Sequence, residues 1–221
     1  MNSFTEENYL KAIFKLLEKG DKKISTNAIA EMVNTAPASV TDMLKKLGEK
    51  HLINYEKYQG VSLTPSGRKV AVNIIRKHRL WELFLVDKLG FRWDEVHDVA
   101  EELEHINSDL LIARLDKFLN HPRFDPHGDP IPDENGIFHT AKSFPLSELN
   151  AKGKALVSGV IDHTPSFLQY IERIGLKLGI EVTLKEKFEY DQSCDILLKP
   201  MKSAIHISHD VAKNILVLNK K

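Results

Sequence analysis

Apolar positions fall at helical spacing from the start of the chain: Tyr9, Leu10, Ile13, Phe14 and Leu17 share one side of a helix over residues 4 to about 18, with Thr5 as the expected N-cap. After the GDKK turn, Ser25 or Thr26 can cap a second helix through Ile29, Ala30 and Val33. The NTAP stretch breaks it. Pro37 then opens a third helix to about Lys50, because the N–H that proline lacks is unpaired in a first turn anyway. Two short helices, a tight turn and a polar start to the second form a helix-turn-helix pattern. The period then shortens to two. LINYEKYQGVSLT reads as two short strands around a turn at Gln59 and Gly60, the hairpin called a wing.

Thr64 caps and Pro65 begins a long helix to about Leu89, and Asp94 begins the next, whose apolar face is Val96, Val99, Ala100, Leu103 and Ile106. A further helix, SDLLIARLDKFL, carries Leu111, Leu115 and Phe118 in positions that suit a helix-to-helix dimer contact. Residues 120 to 145 are rich in Pro, Gly and Asp without a sustained period, and read as a linker. From about 146 come short β-type runs such as ALVSGVI, IEVTLKEKF, DILLKP and SAIHISH, interrupted by one helical segment, SFLQYIERIGLKLG. That mixture predicts a small β-barrel. The fold class expected is mainly α with β, in domains spanning 1–72, 73–140 and 146–221.

Composition narrows the class. At 221 residues and 42% hydrophobic content the chain can build ordinary cores, and no apolar run approaches the roughly 20 residues that span a bilayer. The start, MNSFTEENYLK, lacks the basic and apolar blocks of a signal peptide. With Cys194 as the one cysteine, there is no internal disulfide framework, and a cytoplasmic location with no membrane partner is expected. Charge is neutral in total but uneven: Lys and Arg against Asp and Glu number 14 and 8 over residues 1–80, 6 and 14 over 81–145, and 11 and 9 over 146–221. A basic segment followed by an acidic, histidine-rich one fits a nucleic-acid reader joined to a cation-binding module.

Two stretches carry that cation chemistry. His78 and Glu82 stand four apart in RKHRLWE, and His97, Glu101, Glu104 and His105 in VHDVAEELEHI would fill an arc of roughly 100° on a helix. Imidazole and carboxylate converging without Cys suit Mn²⁺ or Fe²⁺ better than a structural zinc. Catalytic signatures are missing: there is no His-Glu-x-x-His, no Gly-rich phosphate loop and no Gly-x-Ser-x-Gly, so the chain is not expected to be an enzyme. Glu102 and His105 have the Glu-x-x-His spacing of a di-metal carboxylate bundle, but such a bundle needs that motif twice. A second alternative is a winged-helix regulator controlled by an organic ligand, with the His/Glu face merely solvated.

In the helix-turn-helix, Ala36, Pro37, Ala38, Ser39, Thr41 and Asp42 are placed nearest base edges and phosphates. These small groups offer hydroxyls and apolar contact but no bidentate guanine reading. Phosphate contacts are expected from Lys45, Lys46, Lys57 and Tyr58.

ENYLKAIFKL, PASVTDMLKKL, LTPSGR, RKHRLWE, VHDVAEELEHINSDLLIARL and PHGDPIP, in this order and spacing, resemble the iron- and manganese-dependent transcriptional regulators of the diphtheria-toxin-repressor family along nearly the whole chain. The resemblance implies a winged-helix domain, a helical domain that dimerises and binds metal, and a C-terminal SH3-like domain. It also implies two metal sites per subunit: an ancillary one at His78, Glu82 and His97, and a primary one at Glu101, Glu104 and His105 with Asn8 from the first helix. Asp162 and His163 lie near where a third domain could add ligands. The chain departs from iron-type members in having Glu101 for Cys and Asn8 for Met, a harder set that favours Mn²⁺ and tolerates Fe²⁺. Lys11 replaces the Glu of manganese-type members and argues against a close two-manganese cluster. The expected product is a homodimer that binds a palindromic double-stranded DNA operator and represses metal-uptake genes.

Overall fold

The structure, a computed structural model, describes residues 2–18, 20, 24–56 and 60–220, so Lys57 and Tyr58 lie outside the described residues. The chain forms two compact units, and each contains pieces distant in sequence.

Unit 1 comprises Met1–His78, Leu103–Ser108 and Pro132–Ile137. It opens with α1 (Phe4–Glu18), whose cap is Ser3 and not the expected Thr5. Ser3 Oγ accepts the Glu6 N–H at 3.3 Å and Glu6 Oε2 accepts the Ser3 N–H at 3.0 Å, a reciprocal arrangement that satisfies two donors where Thr5 would satisfy one. The helix-turn-helix follows as α2 (Thr26–Met32), capped by Ser25, and α3 (Pro37–Glu49), with Pro37 in its first turn. Leu10, Ile13, Phe14, Ile29, Val40, Leu44 and Leu47 are buried as its core. The wing is β1 (Ile53–Glu56) paired antiparallel with β2 (Gly60–Leu63), and Ile24 bridges to Val61 from the other side. Thr64 caps α4 (Pro65–Leu89) by accepting the Gly67 N–H at 3.1 Å. A Cβ on Gly67 would stand 1.9 Å from Leu52 O, so the helix can start against the wing's backbone only with glycine there.

Unit 2 comprises Arg79–Glu102, Asp109–Ile131 and Phe138–Lys221. It holds the second half of α4, most of α5 (Val96–Leu103), α6 (Asp109–Phe118), and a six-stranded antiparallel sheet. The strands are β3 (Phe144–Pro145), β4 (Lys154–Val160), β5 (Glu181–Lys187), β6 (Cys194–Leu198), β7 (Ile205–Ile207) and β8 (Ile215–Asn219), in the order β3-β8-β4-β5-β6-β7. With α7 (Pro165–Arg173) and the short α8 (His209–Lys213), they enclose a core of Val157, Ile171, Val182, Leu184, Ile196, Ile215 and Val217, on which Trp93 packs. This is the expected SH3-like domain. Strand β8 was not among the expected runs, yet it lies beside the central β4, because Ile215 and Val217 alternate into the core.

Two expectations change. The helix expected through His105 stops at Leu103; Glu104 and His105 lie in a turn closed by Ile106 N–H on Leu103 O at 3.1 Å, and the arc of four ligands does not form on one helix. Residues 120–131 are not a spacer: Asp125, His127 and Ile131 are buried, and Phe124 bridges to Pro130.

Candidate metal centres

In unit 2, α4 presents Glu82 at 3% exposure, and Asp125 and His127 are buried beside it, one ligand atom from each lying within 4.8 Å of the others. Asp125 builds its own loop. Its Oδ1 accepts the N–H of His127 at 2.8 Å and of Asp129 at 3.0 Å, an Asx-turn. Gly128 takes φ +92°, and a Cβ there would stand 2.2 Å from Ser158 O; a Cβ on Gly159 would come 2.9 Å from His127 O. The register of β4 on β8 shifts between Val157 and Gly159, and Val160 N–H donates to His127 O at 2.9 Å. A bulge re-aims the backbone in this way, so β4 holds the His127 loop in place.

His127 Nε2 donates to Trp93 O at 3.1 Å, leaving Nδ1, 3.8 Å from Glu82 Oε2, as the nitrogen for a proton or a cation. Burial raises the Asp125 carboxyl well above the usual carboxylate range, and the charges of Glu82 and Asp129 add to this. Burial lowers His127, but its hydrogen bond to Glu82 and the charge of Asp125 overturn that and raise it to about 9. A buried group of two carboxylates and an imidazole thus holds on to positive charge, which a divalent cation supplies more fully. Arg79 steadies the loop from its other side, donating to Pro130 O at 2.6 Å and to Asp129 Oδ2 at 3.2 Å.

His97 joins from α5, with Nδ1 3.3 Å from Glu82 Oε1 and Nε2 3.5 Å from Glu101 Oε1. Glu101 is therefore paired with His97. The His163 ring lies 5.0 Å from that of His127, while Asp162 closes an Asx-turn ahead of α7, its Oδ1 accepting the Thr164 N–H at 2.8 Å. Asp125 and His127 were missed in the sequence. Their signal was the run DPHGD, two carboxylates around a histidine in a stretch with no period.

Unit 1 gathers a second set. Glu104 is fully buried, with Lys11 Nζ 2.6 Å from Oε1 and His78 Nδ1 2.6 Å from Oε2. Burial pushes the Glu104 carboxyl up, but the hydrogen bond from His78 and the charge of Lys11 overcome this and hold it below its ordinary value. His78 is thus oriented by Glu104 through Nδ1, and Nε2 is the ring's other nitrogen. His105 is stacked on Phe4 at 4.6 Å and gives Nδ1 to Glu7 Oε2 at 2.7 Å, so its Nε2, 3.7 Å from Glu104 Oε1, is the remaining donor. Asn8 Oδ1 is a buried acceptor without a hydrogen-bond partner. Such an orphan costs about 1–3 kcal/mol, and a cation would satisfy it. Both donor sets, oxygen and imidazole nitrogen, fit Mn²⁺ or Fe²⁺. Glu102 is exposed on α5 and His105 lies off the helix, so the Glu-x-x-His bundle geometry is not realised. A cavity of about 910 Å³ in unit 1 is lined by charged residues, among them Arg68, Arg76, Asp133 and Glu134, together with apolar ones such as Phe4, Val72 and Ile74.

The side of α3 expected from the sequence to read DNA is open. Ala36, Pro37, Ala38, Ser39 and Asp42 are exposed and Thr41 is half-buried, its hydroxyl donating to Pro37 O at 3.1 Å. Lys45 is exposed and lies 3.4 Å from Asp42. Lys46 is committed elsewhere, with Nζ 2.9 Å from Glu6 Oε1, and Lys50 Nζ lies 2.7 Å from Glu6 Oε2. Among the described residues no helix is long and apolar enough to cross a membrane.

Comparison with known proteins gives three matching family models: the iron dependent repressor N-terminal DNA binding domain over residues 2–61, its metal binding and dimerisation domain over 64–133, and the FeoA domain over 144–219. The iron-dependent repressor IdeR of Mycobacterium leprae is 35% identical over 148 residues, 67% of this chain and 63% of that protein, so the chain spans less than two thirds of that relative's length. Among solved structures, a manganese-dependent transcriptional repressor in complex with manganese is 34% identical, with a TM-score of 0.83 over 97% of this chain and 100% of that one. The manganese regulator SloR is 36% identical with a TM-score of 0.70, over 97% of this chain and 98% of that one. Taken with the fold, these matches show that the chain belongs to the diphtheria-toxin-repressor family of metal-dependent transcriptional regulators.

Proposed function

We propose that this protein is a cytoplasmic, homodimeric repressor of metal-uptake genes that binds a palindromic operator and is activated by Mn²⁺ or Fe²⁺. One observation carries the reading: α1 bears the orphaned Asn8 Oδ1 and, two residues earlier, the Glu6 carboxylate bonded to Lys46 and Lys50 at the end of the recognition helix. A change in where α1 is held therefore reaches the DNA-reading element directly.

Glu104, His105 through Nε2 and Asn8 form the primary site in this reading, while Glu101, expected there from the sequence, is paired with His97 and goes with the ancillary set. The ancillary site is formed by His78 through Nε2, Glu82 and His97, extended by Asp125 and His127, with His163 beside them. A bound Mn²⁺ or Fe²⁺ supplies two positive charges at each set. Glu104 serves both, as a ligand and as the carboxylate that orients His78. Asn8 ties α1 to the turn at 104–105, which leads within a few residues into α6. The labour divides among residues 1–72 for DNA, 73–140 for metal and dimerisation, and 146–221 for support of the ancillary ligands; no catalytic step is assigned. The relatives are named for iron in one case and manganese in others; Glu101, an oxygen donor, favours manganese here.

The test is an anisotropy titration at fixed salt against duplexes selected from a random pool, with Mn²⁺ and with a chelator. Metal should tighten binding at least tenfold, and Glu104→Ala should lose that gain while keeping its circular dichroism spectrum. Equal affinity under both conditions would sink the proposal.

A further inference from the structure

Glu104 already has a cation on the oxygen that a metal needs, and that cation belongs to the chain. Lys11 Nζ lies 2.6 Å from Glu104 Oε1, and the two side chains are 7% and 0% exposed. The other oxygen is taken by His78 Nδ1 at 2.6 Å. Lys11 stands one turn after Asn8 on the same face of α1, so the ammonium and the orphaned amide oxygen address the same side of the helix.

We propose that Lys11 is a built-in rival of the divalent cation for Glu104 Oε1: ammonium and metal exclude one another there, and the metal binds only as Lys11 withdraws. The inference rests on Glu104 being a metal ligand, as assigned above. A buried carboxylate cannot be left bare, so one cation must hold Glu104 before the other arrives. Lysine suits the exchange, because its charge is a compact point on a flexible four-carbon stem that can swing out to water. Arginine, a planar fork, could not vacate one oxygen as cleanly. A metal that kept Lys11 in place would set like charges in contact in a buried site. Lys11 therefore raises the metal concentration at which the site fills. It also pins α1 to the 104–105 turn by a bond that metal binding must replace.

Calorimetric titration of the full chain with MnCl₂ tests this, using wild type, Lys11→Met, Lys11→Arg and Glu104→Gln, each checked for folding by circular dichroism. Wild type should lose one binding event on Glu104→Gln. Lys11→Met should bind Mn²⁺ at that event at least tenfold tighter, and Lys11→Arg no tighter than wild type. Wild type alone gives a second measurement that survives a misfolded variant: acetylation of Lys11 by an activated ester, followed by mass spectrometry, should be at least threefold faster with Mn²⁺ than with chelator. Unchanged affinity in Lys11→Met, or unchanged Lys11 labelling, overturns the rivalry while Glu104 stays a ligand. A Glu104→Gln variant that binds Mn²⁺ as wild type does overturns the ligand assignment, and the rivalry with it.

Discussion

Glu6 is a carboxylate at 1% exposure, and burial alone would raise its pKa. Hydrogen bonds from Lys50, Lys46 and the Ser3 N–H outweigh that and hold it at about 2 against an ordinary 4.5. A folded-state value depressed below the unfolded one stabilises the protein above pH 4.5, and the contribution drains away as the pH falls towards 2. Because both lysines are more than a third exposed, the effect is of order 1–2 kcal/mol after screening. Urea unfolding from pH 6 to pH 2 should show Glu6→Gln less stable than wild type at pH 6, with the gap closing at the acid end. A constant gap would assign the loss to packing instead. At this scale the sequence was partly legible. Glu6 in S-x-x-E is a capping pattern, but its reach to Lys46 and Lys50, 40 and 44 positions away, is written nowhere locally. His78, Glu82 and His97 announced themselves by spacing. Asp125 and His127 did not, since a loop has no period to reveal what it buries.

Among the elements, α1 to α4 and the wing could be read from period, the caps of α2 and α4, and Pro65, because each buries one face and says so in its apolar repeat. The end of α5 could not. The apolar pattern runs on to Ile106, yet the backbone leaves the helix after Leu103, where Glu104 turns in to Lys11 and His78; a buried charge finding its partners outweighs the small propensity of one more turn. The 125–129 loop was equally opaque, because its order comes from β4, about 30 residues on. Gly128→Ala should therefore cost about 3 kcal/mol or more, from left-handed strain plus a clash with Ser158 O. Gly179→Ala is the control: its φ is +76° but a Cβ there meets nothing within 4 Å, so the cost should be near 1 kcal/mol. Denaturant midpoints at a common m-value compare the two, and equal losses would show that β4 does not hold the loop.

For the whole molecule, the uneven charge along the chain marks the division of work, with the acidic middle supplying most candidate ligands. Dimerisation belongs to this scale. On α6, Leu110 and Phe118 are 63% and 60% exposed, and Leu111 is exposed at 38%, an apolar surface that a second copy would cover. Leu110→Glu with Phe118→Glu should weaken self-association by about 2–4 kcal/mol and leave the protomer folded, giving monomers in sedimentation velocity where wild type gives dimers. A dimer surviving both changes would place the contact elsewhere. One more consequence belongs to the paired glycines at 128 and 159. Each faces the other's main chain, so no compensating side chain can rescue a change at either. Over evolutionary time the two positions form a lock without a second key: descendants of this chain should keep both glycines or lose the whole loop-and-bulge arrangement together.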